Sequence, residues 1–188
     1  GRYVATFSDI TQRKEAEDKL LHRASTDPLT DLPNRALFFD RLQQSLAQAE
    51  RYTQTFALLY VDLDHFKAVN DNFGHAAGDQ LLVETARRLE QAVRESDTVA
   101  RLGGDEFAVI LTQVQGQSEV EDVARRIVDD LASPFKLDAG IAHVSGSIGI
   151  AIWPNGGQDT DTLTHNADLA LYEAKANGRS TYRVHNPL

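Results

Sequence analysis

Cysteine is absent from all 188 residues, which excludes disulfides and thiolate metal sites and fits a reducing compartment. Long hydrophobic runs are also missing. No apolar stretch approaches the roughly 20 residues of a membrane-spanning helix, and no secretory signal opens the chain. Internal repeats and low-complexity tracts are absent. Positive charge is scarce: 19 Lys and Arg against 28 Asp and Glu leave a formal net charge of −9. So acidic a chain is not a general binder of nucleic acid or of membrane surfaces. A phosphate-bearing ligand must then be small and held at a local basic or metal site. The expected setting is the cytoplasm, with no direct membrane contact by this part of the protein. The remaining composition, 41% hydrophobic and 25% charged, is that of a globular domain with room for one good core and an appendage. The chain opens at Gly1 in mid-pattern and is expected to be a piece of a longer protein.

The other motifs are arranged around Arg101-Leu102-Gly103-Gly104-Asp105-Glu106-Phe107. Paired glycines between the apolar runs Thr98–Ala100 and Phe107–Leu111 predict a tight hairpin, because its turn needs positive φ. Glycines also let a ligand approach the backbone and leave amide N–H groups for an anion. Asp105 and Glu106 follow at once. Carboxylates beside a phosphate-sized gap would repel it unless a hard cation lay between them, which suggests Mg²⁺ and a nucleotide. The competing reading is a solvated acidic hairpin.

Asp9-Ile10-Thr11-Gln12 has the spacing of a capping box and opens a charged helix to about Ala24. The stretch from Asp9 to Glu17 resembles the tail of a PAS sensor domain and its linker helix, so residues 1–24 are expected to be a connector. A proline-bounded loop, Asp27 to Asn34, precedes a helix from Arg35 to about Arg51, striped by Leu37, Phe38, Leu42, Leu46 and Ala49. Phe56–Val61 is short and uniformly apolar, as a buried strand is, and leads into Asp62-Leu63-Asp64-His65-Phe66-Lys67. A long helix is expected from Gly78-Asp79 to about Glu95, then the hairpin, then a helix opened by a capping box at Ser118–Glu121. Ile141–Val144 and Ser147–Trp153 predict two strands around Ser145-Gly146; a last helix spans about Asp161–Ala176, and Ser180–Val184 forms an edge strand. Helices alternating with a mixed sheet predict an α+β sandwich of ferredoxin-like, polymerase-palm type.

Gly103-Gly104-Asp105-Glu106-Phe107 is the signature of the GGDEF family, the diguanylate cyclases, and the chain resembles that family from Ala24 to Val184. Further motifs occur in family order: Asp27-Pro28-Leu29-Thr30 with Pro33-Asn34-Arg35, Asp62–Lys67 with Asn70-Asp71, Gly74-His75, Gly78-Asp79, Ser147-Ile148-Gly149, and Ala167-Asp168 through Lys175 to Gly178-Arg179. The resemblance implies residues 25–188 as a cyclase domain that joins two GTP into cyclic di-GMP with loss of pyrophosphate. It implies a homodimer, with Mg²⁺ (Mn²⁺ able to substitute) held by Asp62, Asp105 and the Leu63 carbonyl. Glu106 lies beside them, as a further ligand or as the general base. It sends Asn70 and Asp79 to the guanine edge, and Lys175 and Arg179 to the triphosphate. Amides of Gly103, Gly104, His65 and Phe66 would hold phosphate oxygens.

Arg94 and Asp97 have the spacing of an i,i+3 salt bridge at a helix end; the resemblance makes them the family's R-x-x-D product-inhibition site. Two positions depart from the family pattern: Asp31, where many members have glycine, and Ser180, where asparagine is common. Lys175 and Arg179, four apart, share a face only if the helix persists through Gly178. The alternative function is a catalytically weak GTP- or cyclic-di-GMP-binding regulatory module in a larger sensor or phosphodiesterase protein. Intact Asp105 and Glu106 favour the enzyme.

Overall fold

The computed structural model describes Lys14 and residues 24–186. The expected sensor-domain tail, the Asp9–Gln12 capping box and most of the linker helix lie outside the described residues. The elements run α1 (Arg35–Tyr52), β1 (Ala57–Asp64), α2 (Phe66–Phe73), α3 (His75–Ala92), β2 (Thr98–Gly103), β3 (Glu106–Leu111), α4 (Gln117–Ala132), β4 (Phe135–Leu137), β5 (Gly140–Ala142), β6 (Ser145–Ile152), α5 (Thr160–Ala176) and β7 (Tyr182–Val184).

Five strands form one sheet in the order β2-β3-β1-β6-β7. Neighbours are antiparallel except β6 and β7, which are parallel. This is the β-α-β-β-α-β ferredoxin-like arrangement with one added edge strand, as the alternation of elements predicts. β1 is central because it is apolar on both faces. Side chains alternate along a strand, so Leu59, Val61 and Leu63 join the core under α3 and α4, with Leu81, Leu89 and Ile127. Leu58 points the other way, into a second cluster with Phe38, Leu42, Leu163 and Ala167 from α1 and α5. Asp62 and Asp64 continue the Leu58 face. The sheet thus carries its acids on the α1/α5 side, at the end of β1.

The structure corrects several boundaries. β1 continues to Asp64 and does not stop at Val61; His65, at a left-handed φ of 64°, then turns the chain into α2, a helix that is not among the expected elements. α3 runs from His75 to Ala92, shifted toward the N-terminus of its expected span. The Ser118–Glu121 capping box is not used. Gly116 is the N-cap of α4, without a side-chain cap, and Glu119 accepts from the Gln115 N–H at 2.7 Å. Ile141 pairs with Lys136 of β4, not with β6, because Asp138-Ala139 close a two-residue hairpin between Leu137 and Gly140. β6 instead begins at Ser145 and lies between β1 and β7. Asn34 caps α1 as its side chain suits it to do, accepting from Ala36 N and Leu37 N, both at 3.1 Å.

Candidate active site

The signature turn is made by its backbone. Gly103 and Gly104 take φ of 143° and 55°, values that side chains resist. A Cβ at either would meet nothing within 4 Å. Conformation, not crowding, selects glycine there. Leu102 is the extra residue of an irregularity between Arg101 and Gly103, and such a bulge re-aims the residues beyond it. Arg101 fastens the turn: Nε and Nη2 donate to the Gly104 carbonyl at 3.0 and 2.8 Å, and Nη1 to Asp27 Oδ1 at 2.9 Å. Asp27 also accepts from the N–H and hydroxyl of Thr30. Burial pushes the Asp27 carboxyl up, but the bonds from Thr30 and Arg101 outweigh it and leave it below its ordinary value. The Asp27–Thr30 loop therefore props the signature, a role its residues did not reveal in sequence.

Asp62 stands directly opposite Glu106 across the β1–β3 pair, so both side chains leave the same face. The Leu63 N–H donates to the Asp105 carbonyl at 3.3 Å. Lys175 Nζ lies 2.9 Å from Asp62 Oδ2. Burial raises the Asp62 carboxyl most; Lys175 opposes, and the charges of Asp105 and Asp64 add to the rise, so the net shift is upward. Exposed Glu106 lines a cleft of 360 Å³ with Arg35, Tyr60, His165 and Asp168. There the Tyr60 phenol is pushed up to about 12, by burial first and by Asp168 and Glu106, against Arg35. It stays protonated at neutral pH.

Among the described residues, no three His, Cys, Asp or Glu side chains form a group able to hold a metal. The expected convergence of Asp62, Asp105 and Glu106 is thus not preformed. Asp105 and Glu106 are consecutive where turn becomes strand, and adjacent side chains leave in different directions. The donor chemistry nevertheless fits a hard divalent cation. Asp62 is a largely buried carboxylate already paired with a cation. Asp105 is near enough to raise its proton affinity. Carboxylate and carbonyl oxygens are what Mg²⁺ or Mn²⁺ takes.

α5 ends at Ala176, and Gly178 and Arg179 take positive φ of 105° and 63°. The shared helical face of Lys175 and Arg179 is therefore broken, because left-handed residues cannot continue a right-handed helix. Both cations nonetheless reach the end of β1: Lys175 pairs with Asp62, and Arg179 Nε lies 3.9 Å from Asp64 Oδ1. The sequence motifs assign Asp64 no role of its own. The signal for it was the i,i+2 spacing from Asp62, which puts both acids on one face.

Asn70 lies on α2 and Asp79 on α3. Between them Gly78 leaves room for the Asn70 amide, since a Cβ there would sit 2.0 Å from Asn70 Oδ1 and displace that side chain. The amide is thereby seated next to the residue preceding Asp79. Phe66 opens α2 with His65 as its N-cap; the first N–H groups of a helix have no partner within it and favour an anion. Asp31 and Ser180, the two departures from the family pattern, have left-handed φ of 61° and 49°, which explains why glycine or asparagine suits those positions.

Arg94 and Asp97 follow α3, separated from the signature turn by β2, on the order of 20 Å for six strand residues. Their simple ion pair is not formed. Arg94 pairs with Glu119 at 2.6 Å, while Asp97 accepts from the Arg94 N–H at 3.0 Å and the Thr112 N–H at 2.9 Å. With Glu119 and Arg126 they border a separate cleft of 390 Å³.

Residues 24–181 match the domain family described as "Diguanylate cyclase, GGDEF domain". The chain is 45% identical over 172 residues to the bifunctional diguanylate cyclase/cyclic di-GMP phosphodiesterase MucR of Pseudomonas aeruginosa, covering 92% of this chain and 25% of MucR. The structure of an N-terminally truncated mutant of TpbB from the same organism, comprising only its GGDEF domain, superposes with a TM-score of 0.83 at 42% identity, covering 86% of this chain and 94% of that one. The coiled coil and GGDEF domain of DgcB from Caulobacter crescentus, in complex with cyclic di-GMP, gives a TM-score of 0.87 at 29% identity, covering 94% of each chain. The chain spans a quarter of the length of MucR.

Proposed function

The chain belongs to the GGDEF family of diguanylate cyclase domains, and from that premise we propose that it condenses two GTP into cyclic di-GMP. In each of two equivalent steps a ribose 3′-oxygen bonds to the α-phosphorus of the other nucleotide. The α–β P–O bond breaks, pyrophosphate leaves with the electron pair, and the hydroxyl proton passes to a base. The observation that carries this reading is the meeting of two cations from the end of α5 with the acids at the end of β1, beside the glycine turn.

Asp62, Asp105 and the Leu63 carbonyl would hold Mg²⁺ or Mn²⁺, which when bound neutralises phosphate charge and acidifies a coordinated hydroxyl. Lys175 and Arg179 take the triphosphate, with the amides of Gly103, Gly104, His65 and Phe66 on its oxygens. Asn70 and Asp79 read guanine: an amide and a carboxylate accept from N1–H and N2–H₂ and donate to O6, a pattern adenine lacks. Glu106, exposed opposite Asp62, accepts the hydroxyl proton. Arg94 and Asp97 bind the product and slow the reaction from a distance. Residues 25–188 are the catalytic domain, 1–24 are the connector from a sensor, and the reaction runs in the cytoplasm. Among the described residues no helix is long and apolar enough to cross a membrane.

Incubation of the chain with GTP and Mg²⁺ or Mn²⁺, with product analysis, tests the reading; cyclic di-GMP should accumulate. Asp105→Asn keeps the shape but removes a charged oxygen donor, and should abolish turnover. A variant as fast as the parent at saturating metal would refute the ligand assignment. MucR's two named activities and greater length favour one second reading: this part regulates a phosphodiesterase through GTP. In that case GTP binds but no cyclic di-GMP forms.

A further inference from the structure

Asp64 is one of the few buried charged residues, with its side chain fully enclosed. The proposed reaction makes no use of it. Yet it gathers donors from two distant segments of the chain, β6 and the turn after α5. Ser147 Oγ donates to Oδ1 at 2.8 Å, Ser145 Oγ to Oδ2 at 2.7 Å, and the Ser180 N–H to Oδ2 at 3.1 Å. Arg179 Nε stands 3.9 Å from Oδ1. A buried carboxylate needs such donors to offset lost hydration.

The segment it holds is conformationally costly. Gly178, Arg179 and Ser180 take φ of 105°, 63° and 49° in succession. Two consecutive non-glycine residues in the left-handed region persist only when their surroundings over-determine them. On one side the Arg179 N–H donates to the Ala174 carbonyl at 3.2 Å, closing α5. On the other side stands Asp64, which takes the Ser180 N–H.

We propose that Asp64 is a positioning residue for nucleotide recognition: it clamps the Gly178–Ser180 turn onto the end of β1 and so aims Arg179 at the β- and γ-phosphates. The inference rests on the GTP reading above. The Arg179 side chain remains about half exposed while its Nε faces Asp64, so it is oriented without being covered. The clamp engages the backbone N–H of Ser180, and the side chain there is free to differ from the family's asparagine. The clamp also gives a use to Ser147, fully buried on β6, and to Ser145. Asparagine at position 64 could keep the hydroxyl partners, which rotate to accept from its amide. It has one acceptor oxygen where the carboxylate has two, so it cannot also hold the Ser180 N–H and attract Arg179.

The test is calorimetry with a GTP analogue carrying a methylene at the α–β bridge, which binds without turnover, alongside GMP, which has no outer phosphates. Asp64→Asn and Arg179→Ala should each weaken the analogue roughly tenfold, the scale of a lost charge-assisted hydrogen bond. Both should leave GMP affinity within about twofold, and Asp64→Asn should add nothing in the Arg179→Ala background. Parent-like analogue affinity in Asp64→Asn, with loss in Arg179→Ala, overturns the clamp and leaves the GTP reading standing. Unchanged affinity in Arg179→Ala overturns the triphosphate assignment itself. Equal loss of GMP, or additive losses, would make Asp64 a purely structural group and also overturn the clamp. Should Asp64→Asn fail to fold, Ser145→Ala removes one donor more gently. It should weaken the analogue by a smaller factor only where Arg179 is intact, and no loss would refute the clamp.

Discussion

Arg101 reaches across 74 residues of sequence to Asp27, Nη1 to Oδ1 at 2.9 Å, while the rest of its guanidinium holds the Gly104 carbonyl. Both side chains of this pair are largely enclosed, so removing one charge leaves the other poorly solvated. Asp27→Asn should cost about 1.5–3 kcal/mol of stability. Arg101→Lys keeps the charge but not the fork that spans loop and turn, and should lower turnover roughly tenfold to a hundredfold by letting Asp105 drift. Thermal melting and initial rates check both. Parent-like values would mean that the loop does not support the signature.

Arg94 is mostly exposed, and among the described residues it pairs with Glu119. Its removal should shift stability by less than about 0.5 kcal/mol. Arginine can hold a phosphate or the Hoogsteen edge of guanine bidentately, so Arg94→Ala should weaken cyclic di-GMP binding while leaving the initial GTP rate largely intact. Asp97 is a poorer probe, because it also accepts from the Thr112 N–H. Unchanged product affinity in Arg94→Ala by calorimetry would remove the inhibitory assignment.

Activity should rise with protein concentration. In the proposed reaction each chain supplies one set of guanine and phosphate residues, while the product takes two GTPs facing one another, so the proposal requires two copies to meet. Association costs translational and rotational entropy, which a fused dimeric coiled coil before Thr11, in a register that aligns the sites, should offset by raising local concentration. Rate per chain should increase across a dilution series and in the fusion. A flat specific activity from protein shown to be monomeric throughout would refute the two-copy mechanism.

Acid stability should depend on Glu84. The hydrogen bond from Arg87 lowers its carboxyl most, burial opposes, and the bond from Arg88 lowers it further, to about 2 from an ordinary 4.5. Arg88 in turn donates to the Asp130 and Ser133 carbonyls and lies over the Phe135 ring at 3.7 Å. A depressed native value means that the unfolded chain binds the proton first. The stability Glu84 contributes is therefore present above 4.5 and is lost as pH falls toward 2. Glu84→Gln should lower stability at neutral pH and show a shallower loss on acidification. Denaturant titrations at about pH 6 and about pH 3 compare the two slopes, and parallel curves would deny Glu84 the role.

The sequence by itself determined the parts that depend on local conformation. Paired glycines specified a hairpin because most side chains disfavour the positive φ of its turn, the apolar run specified a central strand, and helical stripes such as Phe38, Leu42 and Ala49 found the core. The order of elements was enough for the ferredoxin-like topology, and the motifs in register were enough for the family. Helix α2 stayed hidden because one left-handed residue, His65, starts it and only Val69 among its residues is buried. The β4–β5 hairpin was hidden too, since short apolar runs do not say which neighbour they pair with. Only the tertiary structure decided how the site is held. Asp27 meets Arg101, Lys175 meets Asp62, and three serines converge on Asp64 from two distant segments. Hydrogen bonds between residues far apart in sequence leave no periodic trace. Their partners are chosen by where the sheet and its crossovers bring the backbone, and that choice exists only after the chain has folded.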